Sequence, residues 1–254
     1  MRLTRKLLAV AAGTVIAGGI AVAATGTADA ATPSCGSSCI DVFSHDFGTY
    51  SNPQFLLDVY KRGENVGQPV ILFRESNSDP AEDFTVSDQG TVADFYSAGL
   101  MSSTLALHYG CGGYTSTGVC VNGNPDAEAF EVEYAPYGAD TGLCVGVAAT
   151  AAQGEKVSLQ PCGVSSKTVW VWDVDDAANT PGFSFPFING SDMNFSHPFV
   201  ATYPAGSYPT DSPRPQLYVS NLTGFSGTGP IPPSSLGVVS DTQLWNVDLF
   251  GQVF

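Results

Sequence analysis

Three stretches open alike: Ile40-Asp41-Val42 with Gly48 six residues after the valine, Phe130-Glu131-Val132 with Gly138, and Phe199-Val200 with Gly206. Each is followed by a second short apolar run, Leu57-Asp58-Val59, Leu143-Cys144-Val145 and Leu217-Tyr218-Val219. Each then reaches an aromatic: Phe84 lies 27 residues after Leu57, Trp170 lies 27 after Leu143, and Trp245 lies 28 after Leu217. A pattern that recurs three times at nearly constant spacing describes one supersecondary unit used three times.

Each unit parses as four strands. The first has Ile40–Ser44, Phe55–Tyr60, Val70–Arg74 and Asp83–Ser87. The second has Phe130–Ala135, Leu143–Ala149, Lys156–Pro161 and Val169–Val174, and the third Phe199–Tyr203, Gln216–Asn221, Leu236–Ser240 and Gln243–Phe250. The runs are short and rich in β-branched and aromatic residues. The 28 glycines and 17 prolines supply frequent turns, and no window of a dozen residues past position 30 carries a helical period. The expectation is an all-β chain: a β-trefoil of three pseudo-repeats, six strands closing a barrel and three hairpins capping it. The lobes fall at roughly 38–88, 129–174 and 198–254, with long insertions at 91–126 and 175–197. Surface insertions cost little closure entropy and often carry function. In the second insertion, the proline of Phe183-Ser184-Phe185-Pro186-Phe187 marks an edge or a non-strand.

Residues 1–30 read as a cleaved secretion signal: Arg2, Arg5 and Lys6, then an uncharged apolar run Leu7–Ala24, then Ala28-Asp29-Ala30. Residues 31–254 are then one domain, since no linker composition splits them. Without the signal, six basic and 23 acidic residues remain, a formal charge of −17. That balance excludes nucleic acid or an anionic membrane surface as partner. Asp41, Asp58, Glu64, Asp94, Glu133 and Asp211 are scattered singly and read as a solvated surface; a monomer is expected. Six cysteines in an exported chain read as three disulfides, and of 15 connectivities spacing favours Cys35–Cys39, Cys111–Cys120 and Cys144–Cys162. Zinc is disfavoured: the two close pairs lack Cys-x-x-Cys spacing and no histidine neighbours them.

The second unit, Gly142-Leu143-Cys144-Val145-Gly146-Val147, Lys156-Val157-Ser158-Leu159-Gln160-Pro161-Cys162 and Thr168-Val169-Trp170, resembles one lobe of a ricin B-type lectin domain. The third keeps the family's closing Gln-x-Trp as Gln243-Leu244-Trp245, and the first has Glu82-Asp83-Phe84 in its place. The resemblance implies that Phe84, Trp170 and Trp245 fill the barrel core and that the glutamine satisfies backbone groups at the turn. It also implies a sugar site built from a strand carboxylate, a stacking aromatic and a polar residue before the core aromatic. By position, the first lobe retains Asp58 and Phe73 and has Ala81-Glu82 where the polar pair should stand; the second has Gly146 and Gln160; the third has Ser220 with Gln243 surviving. No lobe holds the complete set, and the first holds most of it.

No catalytic constellation stands out. His45, His108 and His197 are far apart in sequence, and Gly224-Phe225-Ser226-Gly227-Thr228 lacks the final glycine of a nucleophile elbow. Asp173-Val174-Asp175-Asp176 lacks the glycine turn and distal glutamate of a calcium loop. Asn189-Gly190-Ser191, Asn194-Phe195-Ser196 and Asn221-Leu222-Thr223 match the glycosylation triplet. The expectation is a secreted, extracellular binding protein without enzyme activity, cofactor or metal. Its partner is a glycan, or alternatively a secreted or cell-surface protein contacted through the insertions.

Overall fold

The computed structural model describes residues 39–44, 55–74, 76, 79–106, 113–114, 120–121, 127–173, 184–193, 197–205, 216–223 and 239–248. The signal segment, Cys35, Cys111, Gly48, Gly206, His45, His108, Asn194, Asp175, Asp176, Asp211 and most of the expected strand 236–240 lie outside them. The described chain is mostly β. Its strands are β1 Asp41–Ser44, β2 Phe55–Val59, β3 Val70–Arg74, β4 Phe84–Thr91, β5 Gly113–Tyr114, β6 Cys120–Val121 and β7 Ala127–Tyr134. They continue with β8 Leu143–Val147, β9 Val157–Pro161, β10 Val169–Asp173, β11 Ile188–Asn189, β12 Phe199–Thr202, β13 Tyr218–Asn221 and β14 Trp245–Asp248.

The two complete hairpins share one register. β2 and β3 pair from Phe55↔Arg74 to Val59↔Val70, and β8 and β9 pair from Leu143↔Pro161 to Val147↔Val157. Their tips meet Leu217, just ahead of β13, in a triangle of backbone hydrogen bonds. The Leu159 amide donates to the Gln68 carbonyl (2.9 Å), Val157 to Leu217 (3.0 Å), and Leu217 to Val70 (3.0 Å). The Cys144–Cys162 disulfide ties β8 to the end of its own hairpin, with Cα atoms 5.0 Å apart. Cys39 is also disulfide-bonded.

Strands β1, β4, β7, β10, β11 and β14 form a ring. β14 pairs with β1, Ile40 beside β1 bridges Phe84 of β4, β4 pairs with β7, and β7 with β10. β10 then pairs with β11 rather than with β12. The segment leading into β11 returns to β14, where the amides of Phe185 and Trp245 each donate to the other's carbonyl at 2.9 Å. Inside the ring, Phe84, Trp170 and Trp245 are 0, 1 and 0 % exposed. The two indoles donate to carbonyls, Trp170 to Val145 and Trp245 to Ala201, both at 2.9 Å. A buried indole N–H needs such an acceptor.

Two expectations require correction. The insertion 175–197 is not a surface loop where it is described: Phe185, Phe187 and Ile188 are buried, and Phe187 stacks on Trp245 with ring centroids 6.1 Å apart. Pro186, which has no N–H to give to a ladder, sits between the Phe185 bridge and β11 and belongs to neither. The chain is also not free of helix. In the insertion 91–126, α1 (Val92–Ser97) starts at a capping box in which Thr91 and Asp94 satisfy each other's amides, and a single turn, α2 (Ser103–Leu105), follows. Six and three residues are too short to show a period over a dozen. Val92, Phe95 and Leu105 cover the outer side of the ring at Ala129, Val169, Val171, Ile188 and Val200, making a second core. β4 runs on to Thr91, past the expected Ser87, because β7 is long enough to pair with it to Glu128.

Phe187→Ala separates a core segment from a surface loop. Burial at 5 % exposure predicts a loss of about 3–5 kcal/mol in denaturant unfolding. A loss near zero would return the segment to the surface.

Candidate functional site

Two residues before each core aromatic stands a buried polar side chain: Glu82 before Phe84, Thr168 before Trp170, and Gln243 before Trp245. Each faces one position of a neighbouring strand, and the three solutions differ. Gln243 is satisfied throughout. Its Nε2 donates to Ser220 Oγ (2.8 Å) and the Asn221 carbonyl (2.9 Å), while its Oε1 accepts from the Thr223 amide (2.8 Å) and hydroxyl (2.9 Å). Thr168 donates to Glu131 (2.5 Å), and its methyl crowds position 146. A Cβ there would lie 2.6 Å from the Lys167 carbonyl and 2.9 Å from Thr168 Cγ2, so only glycine fits. Position 146 on β8 therefore has no room for a carboxylate.

The first lobe sets Glu82 against Asp58 on β2. Glu82 Oε2 accepts from the Ser76 amide (3.0 Å), and Oε1 has no hydrogen-bond partner among the described residues. Burial, reinforced by the charges of Asp58, Asp79 and Asp41, pushes Glu82 up to about 9; the Ser76 bond pulls the other way. Tyr134 Oη on β7, fully buried, likewise has no hydrogen-bond partner among the described residues. Burial first, then the charges of Glu64, Asp58, Asp79 and Asp83, holds its phenol well above the ordinary range.

The reading of single acids as a solvated surface fails at three of its six residues: Asp41, Asp58 and Glu133 are 3, 2 and 6 % exposed. Asp58 lies inward because the turn Pro80–Glu82 packs over β2. Glu133 accepts from the Gly142 amide at 2.6 Å, which ties β7 to the start of β8. Glu64 and Asp94 are exposed as expected.

Above this pocket lies a surface that sequence reasoning missed. Among the described residues, the non-glycine positions with positive φ are Lys61 (58°), Arg62 (56°) and Tyr137 (56°). They sit in two turns, Tyr60–Arg62 and Pro136–Gly138, that both pack on Pro80–Glu82. Left-handed backbone is costly for an L residue and needs its surroundings to hold it. Here the Tyr137 amide donates to Asp83 Oδ2 (2.8 Å), and Arg62 Nε is paired with Asp79 Oδ1 (2.8 Å). Asp79 also accepts from the Ala81 amide (3.0 Å). The result is an aromatic ring, 70 % exposed, on a turn that packs, like the turn of Arg62, against the turn carrying the buried Glu82. The available signals were a tyrosine between proline and glycine, and Lys61-Arg62, adjacent bases in a chain poor in them.

Of the residues proposed from sequence, Asp58 and Glu82 come together and are buried, Phe73 on β3 is half-buried, and Gln243 is engaged with Ser220. The cavity inside the barrel is lined by apolar side chains such as Leu57, Val145 and Trp170, and offers a ligand no polar group. No cluster of three or more metal-ligating residues occurs among the described residues. Of the glycosylation triplets, Asn189 is fully buried with its amide bonded to the Lys167 carbonyl and Ser191, whereas Asn221 is exposed.

No family model and no characterised protein sequence matches the chain. Among solved structures it is similar to a designed 3-fold symmetric protein, ThreeFoil, at 11 % identity over 83 % of this chain and 97 % of that one, with a TM-score of 0.47. It is also similar to a mosquitocidal holotoxin, at 10 % identity over 82 % of this chain and 17 % of that one, with a TM-score of 0.45.

Crowding at position 146 has a direct consequence. Gly146→Ala is expected to cost about 1–3 kcal/mol in thermal or denaturant unfolding. A neutral substitution would contradict the packing of Thr168 against β8.

Proposed function

We propose that residues 31–254 form a secreted, non-catalytic ricin-like β-trefoil that binds carbohydrate on the first lobe. The trefoil reading draws support from the triangle of hairpin strands and from three buried aromatics, each two residues after a buried polar side chain. The observation that carries the ligand reading is Tyr137, an exposed ring held in left-handed backbone by Asp83 beside the Arg62–Asp79 pair. A rigid aromatic covers the apolar face of a sugar ring at little entropic cost. The guanidinium and carboxylate next to it are matched to sugar hydroxyls. In this reading Asp58 and Glu82, the inherited positions, support the surface from below, and Tyr137 replaces Phe73 as the platform.

A second reading is favoured by the burial of Asp58, which removes the hydroxyl-reading carboxylate from the surface. It makes the chain an interaction or inhibitory trefoil that meets a protein partner through its insertions. The first part of 91–126 is committed to covering the barrel, which leaves the segment carrying the β5–β6 pair as the contact.

A glycan array followed by titration calorimetry decides between them. The carbohydrate reading predicts binding to a glycan that Tyr137→Ala weakens by about ten-fold without lowering the melting temperature. If the wild type ignores every glycan offered, the protein-partner reading takes its place; glycan binding left unchanged in Tyr137→Ala would overturn Tyr137 as the platform.

A further inference from the structure

Glu82 and Gln243 occupy the same place relative to their core aromatics and turns, and the turns Pro80–Glu82 and Asp241–Gln243 are both single 3-10 turns. In Gln243 one arm accepts from a backbone amide and the other donates toward the facing strand. Glu82 repeats half of this: Oε2 accepts from the Ser76 amide, and Oε1 is buried with no hydrogen-bond partner among the described residues. An ionised carboxylate has nothing to donate, and 6 % exposure leaves it little water. Its charged neighbours offer no relief. Asp58 on β2, Asp41 on β1 and the adjacent Asp79 are acidic, and Arg62, from the turn packed beside it, is engaged by Asp79. Lys61 lies over the Tyr60 ring, and β7 and the 136–138 turn contribute the phenols of Tyr134 and Tyr137.

We infer that Glu82 works as a neutral carboxylic acid, a stand-in for the third lobe's glutamine, and that its protonation keeps the Pro80–Glu82 turn packed on β2 until ionisation releases it. The turn underlies Arg62, Asp79 and Tyr137, so its release dismantles the exposed surface above it. Glu82 is thus a positioning residue and a pH-sensitive latch. The sign follows from its raised value. Its contribution to stability is complete below the ordinary 4.5, falls as pH rises, and is gone above about 9. The latch itself is independent of the carbohydrate reading; only its effect on ligand binding rests on that reading.

The test follows the Glu82 side-chain carboxyl by carbon-13 NMR from about pH 4 to 11, with hydrogen exchange at the Ala81, Glu82 and Asp83 amides corrected for intrinsic rate. The latch predicts a Glu82 midpoint near 9, loss of amide protection across the same pH, and no such step in Glu82→Gln, whose amide keeps the turn protected throughout. A Glu82 midpoint near 4.5 with the turn still protected would overturn it. So would a Glu82→Gln protein showing the wild-type step. The wild-type titration decides the matter even if that variant does not fold. Loss of glycan binding at both ends of the pH range, with the step intact, would count against the carbohydrate reading and leave the latch standing.

Discussion

The reciprocal hydrogen bonds between Phe185 and Trp245 close the ring, and the rest of the architecture depends on that closure. A sheet left open would expose unsatisfied edge groups, and closure removes them. At the other join, Ile40 donates to Phe84 at 2.9 Å, so each junction between the four-stranded and eight-stranded sheets rests on isolated bridges. Side chains reinforce the Phe185 seam. Ser184 donates to Asn246 at 2.7 Å, and Phe187 stacks on the Trp245 ring. The segment that makes the seam lies between β10 and β11 in the chain.

What was legible in the sequence was what repeats. Alternation and spacing located the hairpins 55–59/70–74 and 143–147/157–161 to within a residue or two, the three aromatics, and the Cys144–Cys162 bond. What was not legible was what occurs once. Phe185 and Phe187 look like loop residues because Pro186 breaks the strand pattern, yet their neighbours are decided by a ring gap that only the closed fold reveals. Val92–Ser97 is a helix because of a local capping box, and its burial depends on apolar residues on the outer side of β7 and β10 that a strand pattern alone assigns to neither core nor surface. Charge was misread for a similar reason. A lone acid in a strand looks solvated until a turn such as Pro80–Glu82 is laid over it.

The three buried aromatics are each preceded, two residues earlier, by a different buried polar chemistry. Amide with hydroxyl (Gln243–Ser220), hydroxyl with glycine (Thr168–Gly146) and acid with acid (Glu82–Asp58) each solve the same burial problem. Gln243 has both arms of its amide bonded, and Thr168 donates to the buried Glu131 carboxyl. The third keeps an ionisable group in a turn on which two others pack, both of which hold residues in left-handed backbone. The proposed ligand surface is carried by those two turns. Carboxylates on β7 serve a different end: Glu131 accepts from the Gly163 amide at 3.0 Å and Glu133 from Gly142, fastening the second hairpin to the ring.

The central structural claim, a ring closed by an inserted segment, is tested most directly by native-state hydrogen exchange at the Phe185 and Trp245 amides. Closure through this seam predicts that both exchange only with global unfolding, at the free energy measured for the Val169–Asp173 ladder. Exchange of Phe185 at the rate of an open loop, with Trp245 following it, would show that the ring is not closed there.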